Sequence, residues 1–249
     1  MHHYAGDDVA GIRALNEAHV GFNKLLGDIK PLPELSPTEL ADRLADRPGH
    51  HLRIGYLSPD FRNQVMFYFY YQLLVGHTAD AFEVYAYALN SRQDGFTQLV
   101  REAVDHLVDC SATRDDYEAV ARRIRADGID VLVDLAGHVA GGGLPVLAYR
   151  PAPVQLSGIG YIHPTGLRSV DGFITDSYAD PPENEAETWA GLHERPVRLT
   201  SQFCYTGRSD VPGPAGAPCR TKDYVTFGVF NRYSKITDKK IKTISYKHL

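Results

Sequence analysis

The chain is poor in cysteine: Cys110, Cys204 and Cys219 are the only three among 249 residues. An odd number with no C-x-x-C spacing excludes a disulfide framework and offers no zinc ligand set, so they read as ordinary reduced thiols. No apolar run approaches the roughly 20 residues of a membrane span. Met1-His2-His3-Tyr4 leads into charged residues rather than a signal-peptide core, so a cytoplasmic setting without membrane contact is the expectation. Long blocks of one charge sign are missing as well. Lys plus Arg number 26 and Asp plus Glu 31, a net charge of -5, which argues against nucleic acid as a partner.

What is present is a globular composition, 43% hydrophobic, sufficient for one large or two small domains. Residues 7–26 place Val9, Ile12, Leu15, Ala18, Val20, Phe22 and Leu25 loosely at helical spacing. Ser36-Pro37-Thr38-Glu39 then offers an N-cap, a proline at the first helical position and a capping-box glutamate, for a second helix running to about Arg47. Pro48-Gly49 stops it. From Leu52 short apolar strands alternate with helices. Strands are expected at 52–57, 82–89, 107–110, 129–135, 154–156, 172–175, 197–199 and 225–230, and helices near 65–75, 96–104, 115–126 and 144–149. This alternation predicts an α/β fold with a mostly parallel sheet covered by helices on both faces.

In such a sheet ligands bind beyond the carboxyl ends of the strands, near the switch in strand order. Three segments fall there. "GYLSPDFRNQV" (55–65) carries a strand into a helix start whose first N–H groups are free either to face an anion or to be capped by their own polar residues. "IDVLVDLAGHVAGGG" (129–143) runs from a strand into glycines around His138, with Asp134 and His138 able to bond a ligand or each other. Its spacing is neither a dinucleotide fingerprint nor a P-loop, so it reads equally as a turn capped by Asp134 with His138 in solvent. "RPAPVQLSGIGYIHPTG" (150–166) is a stiff lead-in, a short strand and a glycine-rich loop, either a cleft wall or a rigid connector. The run from Phe67 to Tyr71 reads as core packing on a helix. Lys235, Lys239, Lys240 and Lys242 read as a solvated helix face.

In their order along the chain, "LRIGYLSPDFRNQV", "ADGIDVLVDLAGHVAGGGLPVLAYRPAPVQLSGIGY", "PTGLRSVDGFITD", "RLTSQFCYTGRSD" and "YVTFGVFNRYSKIT" closely resemble the bacterial branch of the protein O-linked N-acetylglucosamine transferase family, the tetratricopeptide-linked, SPINDLY-like proteins. The resemblance covers nearly all of residues 52–238. It implies a GT-B architecture of two Rossmann-like lobes, of which this chain matches the N-terminal one. Residues 1–50 then form a helical linker, 51–238 the catalytic lobe, and 239–249 the truncated start of a second lobe with a non-native tail. The implied reaction moves N-acetylglucosamine from UDP-N-acetylglucosamine to a Ser or Thr hydroxyl of an acceptor protein with inversion and without metal or other cofactor. The missing C-terminal lobe would hold most of the donor, so the fragment alone is expected to be inactive.

Position by position, the resemblance assigns Asp134, Gly137 and His138 to the cleft, with Val139 where a threonine is usual. It assigns Ile159, Gly160 and Tyr161, completed by Pro164 and Thr165, to a loop near sugar and acceptor. Gln64 stands where the family has an active-site histidine. Glutamine bonds but does not exchange a proton near neutral pH, and the alternative is therefore a non-catalytic module that binds a sugar nucleotide or a protein.

Overall fold

The computed structural model describes residues 9–225 except 48, 50, 203, 204, 206, 208–210, 214, 215 and 223. Gly6–Gly207 form one compact unit. The described residues beyond it belong to a second, where they are exposed and include a single 3-10 turn, Pro218–Arg220. The strand expected at 225–230, Val225 apart, and the lysine cluster from Lys235 lie outside the described residues, as does Cys204.

Among the described residues seven parallel strands make the sheet: β1 Leu52–Ser58, β2 Phe82–Ala88, β3 His106–Asp109, β4 Val131–Asp134, β5 Val154–Gly158, β6 Gly172–Asp176 and β7 Arg195–Leu199. Their order is β3-β2-β1-β4-β5-β6-β7. The chain winds outward from β1 to β3, returns to the centre, and winds outward again from β4 to β7. The switch therefore lies between β1 and β4, where Leu57 pairs with Asp134 and Asp134 with Ser157.

The helices are α1 Val9–Gly21, α2 Pro37–Ala45, α3 Phe67–Val75, α4 Gly95–Ala103, α5 Tyr117–Ala126, α6 Leu144–Ala148 and α7 Glu185–Thr188. Successive strand residues point to opposite faces, so each strand feeds two cores. Leu57, Tyr87 and Leu132 join Val120, Ala121 and Ile124 of α5 and Leu147 of α6. Tyr56, Ala86 and Val133 join Phe67, Tyr70 and Leu74 of α3 and Val100 of α4. The aromatic run thus buries one face of α3, at i, i+3 and i+7, and Tyr68, Phe69 and Tyr71 pack half-buried around it.

Element ends differ from expectation for local reasons. Strand β4 begins at Val131 because Ile129 N–H still bonds the Ile124 carbonyl of α5, while the Asp130 carboxylate accepts from Arg53 N–H and pairs with Arg47. Helix α2 has the full capping box between Ser36 and Glu39 but stops at Ala45, and Arg47 turns inward to Asp130 and the Gly128 carbonyl. Helix α1 forms within the segment whose spacing predicted it. Its buried residues are polar, Asn16 and His19, while Ala18 is exposed and Leu25, in the following turn, is 78% exposed. Among the described residues no helix is long and apolar enough to cross a membrane.

Candidate functional site

The loops after β1, β4 and β5 converge at the switch, and each is held by side chains at the strand ends. Asp134 ends β4 with no exposed surface. Its carboxylate accepts from Gly137 N–H (2.7 Å), Ala136 N–H (3.3 Å) and the Ser157 hydroxyl of β5 (2.8 Å). Burial raises its pKa, and the bonds from Gly137, Ser157 and Ala136 oppose that rise. Asp134 is therefore a clamp beneath the glycine loop.

That loop turns at Gly137, which has a φ of +58°, and a Cβ there would stand 2.5 Å from the Tyr161 Cβ. The β5 loop closes over it. Ile159, buried at a φ of +72°, sets the turn, and Gly160 packs where any side chain would run into the Leu135 carbonyl. A β-branched residue in the left-handed region is strained by about 1–3 kcal/mol, and burial in the α3 and α4 core offsets it.

His138 is half-buried, not in open solvent. Its Nε2 donates to the Thr165 carbonyl at 2.7 Å, because a carbonyl only accepts, and the neutral ring then carries its lone pair on Nδ1. Thr165 is fully buried. Its N–H (2.6 Å) and hydroxyl (2.5 Å) both donate to Glu194, as does Gly166 N–H (3.0 Å). Burial pushes the Glu194 carboxyl up and these donors hold it down. Pro164 is buried beside them, whereas Val139 on the β4 loop is 40% exposed and Ile162 on the β5 loop 71%.

Helix α1 reaches into the same place. His19 Nδ1 donates to the Leu15 carbonyl (2.7 Å), so its Nε2 accepts from the Tyr161 hydroxyl (2.8 Å). Its ring stacks on His163 and meets His138 edge-on, both at 4.6 Å between centroids. Asn23 donates to the Gly166 carbonyl at 2.6 Å. His19 and Glu194 were not signalled by any local motif; the only trace is the spacing Asn16, His19, Asn23, which puts three hydrogen-bonding side chains on one helical face.

Gln64 sits on the β1 loop, where its Oε1 accepts from Met66 N–H. The loop is fixed by Asn63 N–H to Asp94 (2.8 Å), the Thr97 hydroxyl to the Phe61 carbonyl (2.8 Å) and Tyr70 hydroxyl to the Asp60 carbonyl (2.7 Å). The anion reading of α3 is corrected here: the N–H groups of Phe67, Tyr68 and Phe69 are taken by the carbonyls of Gln64, Val65 and Met66. A cavity of about 420 Å³ lies elsewhere, lined by Leu26, Arg150, Leu167 and Asp171. Arg150 and Asp171 flank the amino ends of β5 and β6, so that cavity is not part of this cleft. Among the described residues no group of three His, Cys, Asp or Glu side chains could hold a metal.

A doubly wound parallel sheet whose loops gather at the β1/β4 switch is a Rossmann-like lobe, and the comparisons place it in the glycosyltransferase class. The chain belongs to glycosyl transferase family 41, whose model matches residues 32–192. It is 38% identical over 203 residues to the probable UDP-N-acetylglucosamine–peptide N-acetylglucosaminyltransferase SPINDLY of Arabidopsis thaliana, covering 80% of this chain and 21% of that protein. It is 34% identical over 148 residues to the UDP-N-acetylglucosamine–peptide N-acetylglucosaminyltransferase of Caenorhabditis elegans, covering 59% of this chain and 13% of the other. A mutant of the Thermobaculum terrenum O-GlcNAc transferase superposes with a TM-score of 0.67 at 30% identity, covering 83% of this chain and 38% of that one. The chain spans about a fifth of the length of the SPINDLY relatives it matches.

Proposed function

We propose that the chain is the N-terminal lobe of an inverting transferase of the bacterial, tetratricopeptide-linked branch, moving N-acetylglucosamine from UDP-N-acetylglucosamine to a Ser or Thr hydroxyl of a protein. Its cytoplasmic setting is part of the same proposal. The observation that carries the reading is the anchoring of two loops at the switch, which gives one preorganised wall: Asp134 holds Gly137, His138 bonds the Thr165 carbonyl, Glu194 holds Thr165, and the Tyr161 hydroxyl bonds His19. The relatives' names supply the donor.

In the reaction the acceptor oxygen bonds the anomeric carbon as the bond to the diphosphate breaks, and the hydroxyl proton leaves. His138, protonated on Nε2, is the group suited to orient that hydroxyl and take its proton. Asp134 acts behind it by fixing Gly137, and Gly137, Ile159, Gly160, Tyr161, Pro164 and Thr165 shape the acceptor side, with Val139 giving a less polar rim than threonine. Gln64 holds its own loop and transfers no proton. The donor's diphosphate falls to a second lobe, so the 249-residue chain alone should show no turnover.

The test is a chimera in which this lobe replaces its counterpart in the Thermobaculum terrenum enzyme, assayed for transfer of labelled N-acetylglucosamine from UDP-N-acetylglucosamine to protein. Transfer that falls about 10²-fold or more on His138→Ala supports the reading. No transfer by the chimera, nor by its Gln64→His form, would leave the second reading standing, a binding module without catalysis. That second reading has one specific support: the side-chain amide oxygen of Gln64 is spent on the backbone N–H of Met66.

A further inference from the structure

Three side chains of the N-terminal helical segment cross to segments more than 140 residues away in sequence. Asn16 Nδ2 donates to the Thr188 (2.9 Å) and Ala190 (3.1 Å) carbonyls, His19 accepts from Tyr161, and Asn23 bonds Gly166. At Gly166, with a φ of +74°, the loop backbone lies directly on the helix, since a Cβ there would stand 2.5 Å from the His19 carbonyl carbon and Val20 nitrogen. Of the three, His19 stands at the centre. It is 7% exposed, and its two ring nitrogens have opposed and fixed duties, Nδ1 donating within α1 and Nε2 receiving the Tyr161 hydroxyl. Its faces and edges meet His163, His138 and Tyr161, at 4.6, 4.6 and 5.6 Å between centroids. Phe22, one turn on, packs edge-on against His138 at 4.9 Å.

We propose that His19 is a positioning residue of the cleft: docked from α1, it locks the Tyr161 hydroxyl and the ring planes of His138 and His163, so the loops after β4 and β5 take their shape only with the N-terminal helix in place. A phenyl ring, somewhat larger and without either nitrogen, would fill the space and leave the tyrosine hydroxyl without its acceptor. Helix α1 is in this sense a third wall element of the cleft. Its bearing on sugar transfer rests on the function proposed above; the positioning itself does not.

The experiment uses the 249-residue chain, with no turnover required. Nitrogen-15 spectra of labelled histidines in the neutral state should show His19 protonated on Nδ1 and His138 on Nε2. In His19→Phe, amides of residues 160–167 should exchange with deuterium at least about 10-fold faster, those of β1 and β2 should be unchanged, and the His138 ring should move toward mixed tautomers. Tyr161→Phe should reproduce these changes, and the double variant should add nothing further, as expected for partners in one interaction. Unchanged loop exchange and His138 resonances in His19→Phe would overturn the proposal, as would acceleration spread equally over β1 and β2. Should His19→Phe fail to fold, Tyr161→Phe decides alone by the same readout.

Discussion

At the scale of single residues, the cleft depends on backbone shape at Gly137 more than on any exposed side chain. The left-handed φ excludes ordinary L side chains, and the space a Cβ needs is filled by Tyr161. Gly137→Ala combines a conformational penalty of about 1–2 kcal/mol with overpacking of about 1–3 kcal/mol, and it should lower stability by about 2–5 kcal/mol in urea unfolding. A loss under about 1 kcal/mol would mean that the two loops separate easily and that the tight contact is dispensable. Glu194 makes a complementary case. Its carboxylate is the acceptor for two buried N–H groups and a hydroxyl, and each donor left unpaired costs about 1–3 kcal/mol. Glu194→Ala should therefore destabilise the chain by at least about 3 kcal/mol, whereas Glu194→Gln, which keeps one accepting oxygen, should lose distinctly less. Equal losses for the two variants in the same titration would show that packing and not hydrogen bonding makes the residue necessary.

At the scale of elements, stability is unevenly distributed. Helix α2 has a complete capping box but no buried residue, so its persistence depends on local bonds. Ser36→Ala should cost α2 about 1 kcal/mol, read as faster amide exchange within Pro37–Ala45, with the global unfolding midpoint unmoved. A shift of the midpoint by the full amount would show that α2 unfolds with the sheet. This division also explains what could be read before the fold was known. Local signals recovered the elements they govern: the Ser36 and Glu39 box and the alternation that yields a parallel sheet. Strand ends were legible only to a residue or two, since side chains such as Asp130 compete for the ladder's donors. For α1 the hydrophobic spacing indicated the helix but not which of its side chains are buried. Its docking surface is polar, and only tertiary partners such as Thr188 and Tyr161 make it so. His138 stood out in sequence because glycines surround it, whereas His19 and Glu194 had no such neighbours and reached the site by distant contacts.

At the scale of the whole molecule, buried and bridged carboxyls pull the pH dependence of stability in opposite directions. Asp134 has a raised pKa when folded, mainly from burial. The folded state therefore takes up that proton before the unfolded state does, and this group's contribution improves as pH falls through its folded value, levelling off below the unfolded one. Glu83 behaves in reverse. Burial raises its pKa, but hydrogen bonds from Arg53, His106 and Tyr85 outweigh this and bring it to about 2 from 4.5. Its contribution is complete above the unfolded value and disappears as pH drops from about 4.5 to about 2. Because Glu83 is only half-buried, solvent screening reduces its share, and the comparison is best made by substitution. Wild type measured against Asp134→Asn should gain relative stability as the pH is lowered from 7 toward 4, while its advantage over Glu83→Gln should shrink below pH 4.5. Thermal unfolding of the three proteins across that range provides both differences. If the Asp134 difference ran the other way, the carboxylate would be better stabilised in its buried seat than in water, and its clamp on Gly137 would be an electrostatic gain instead of a cost the fold carries to shape the cleft.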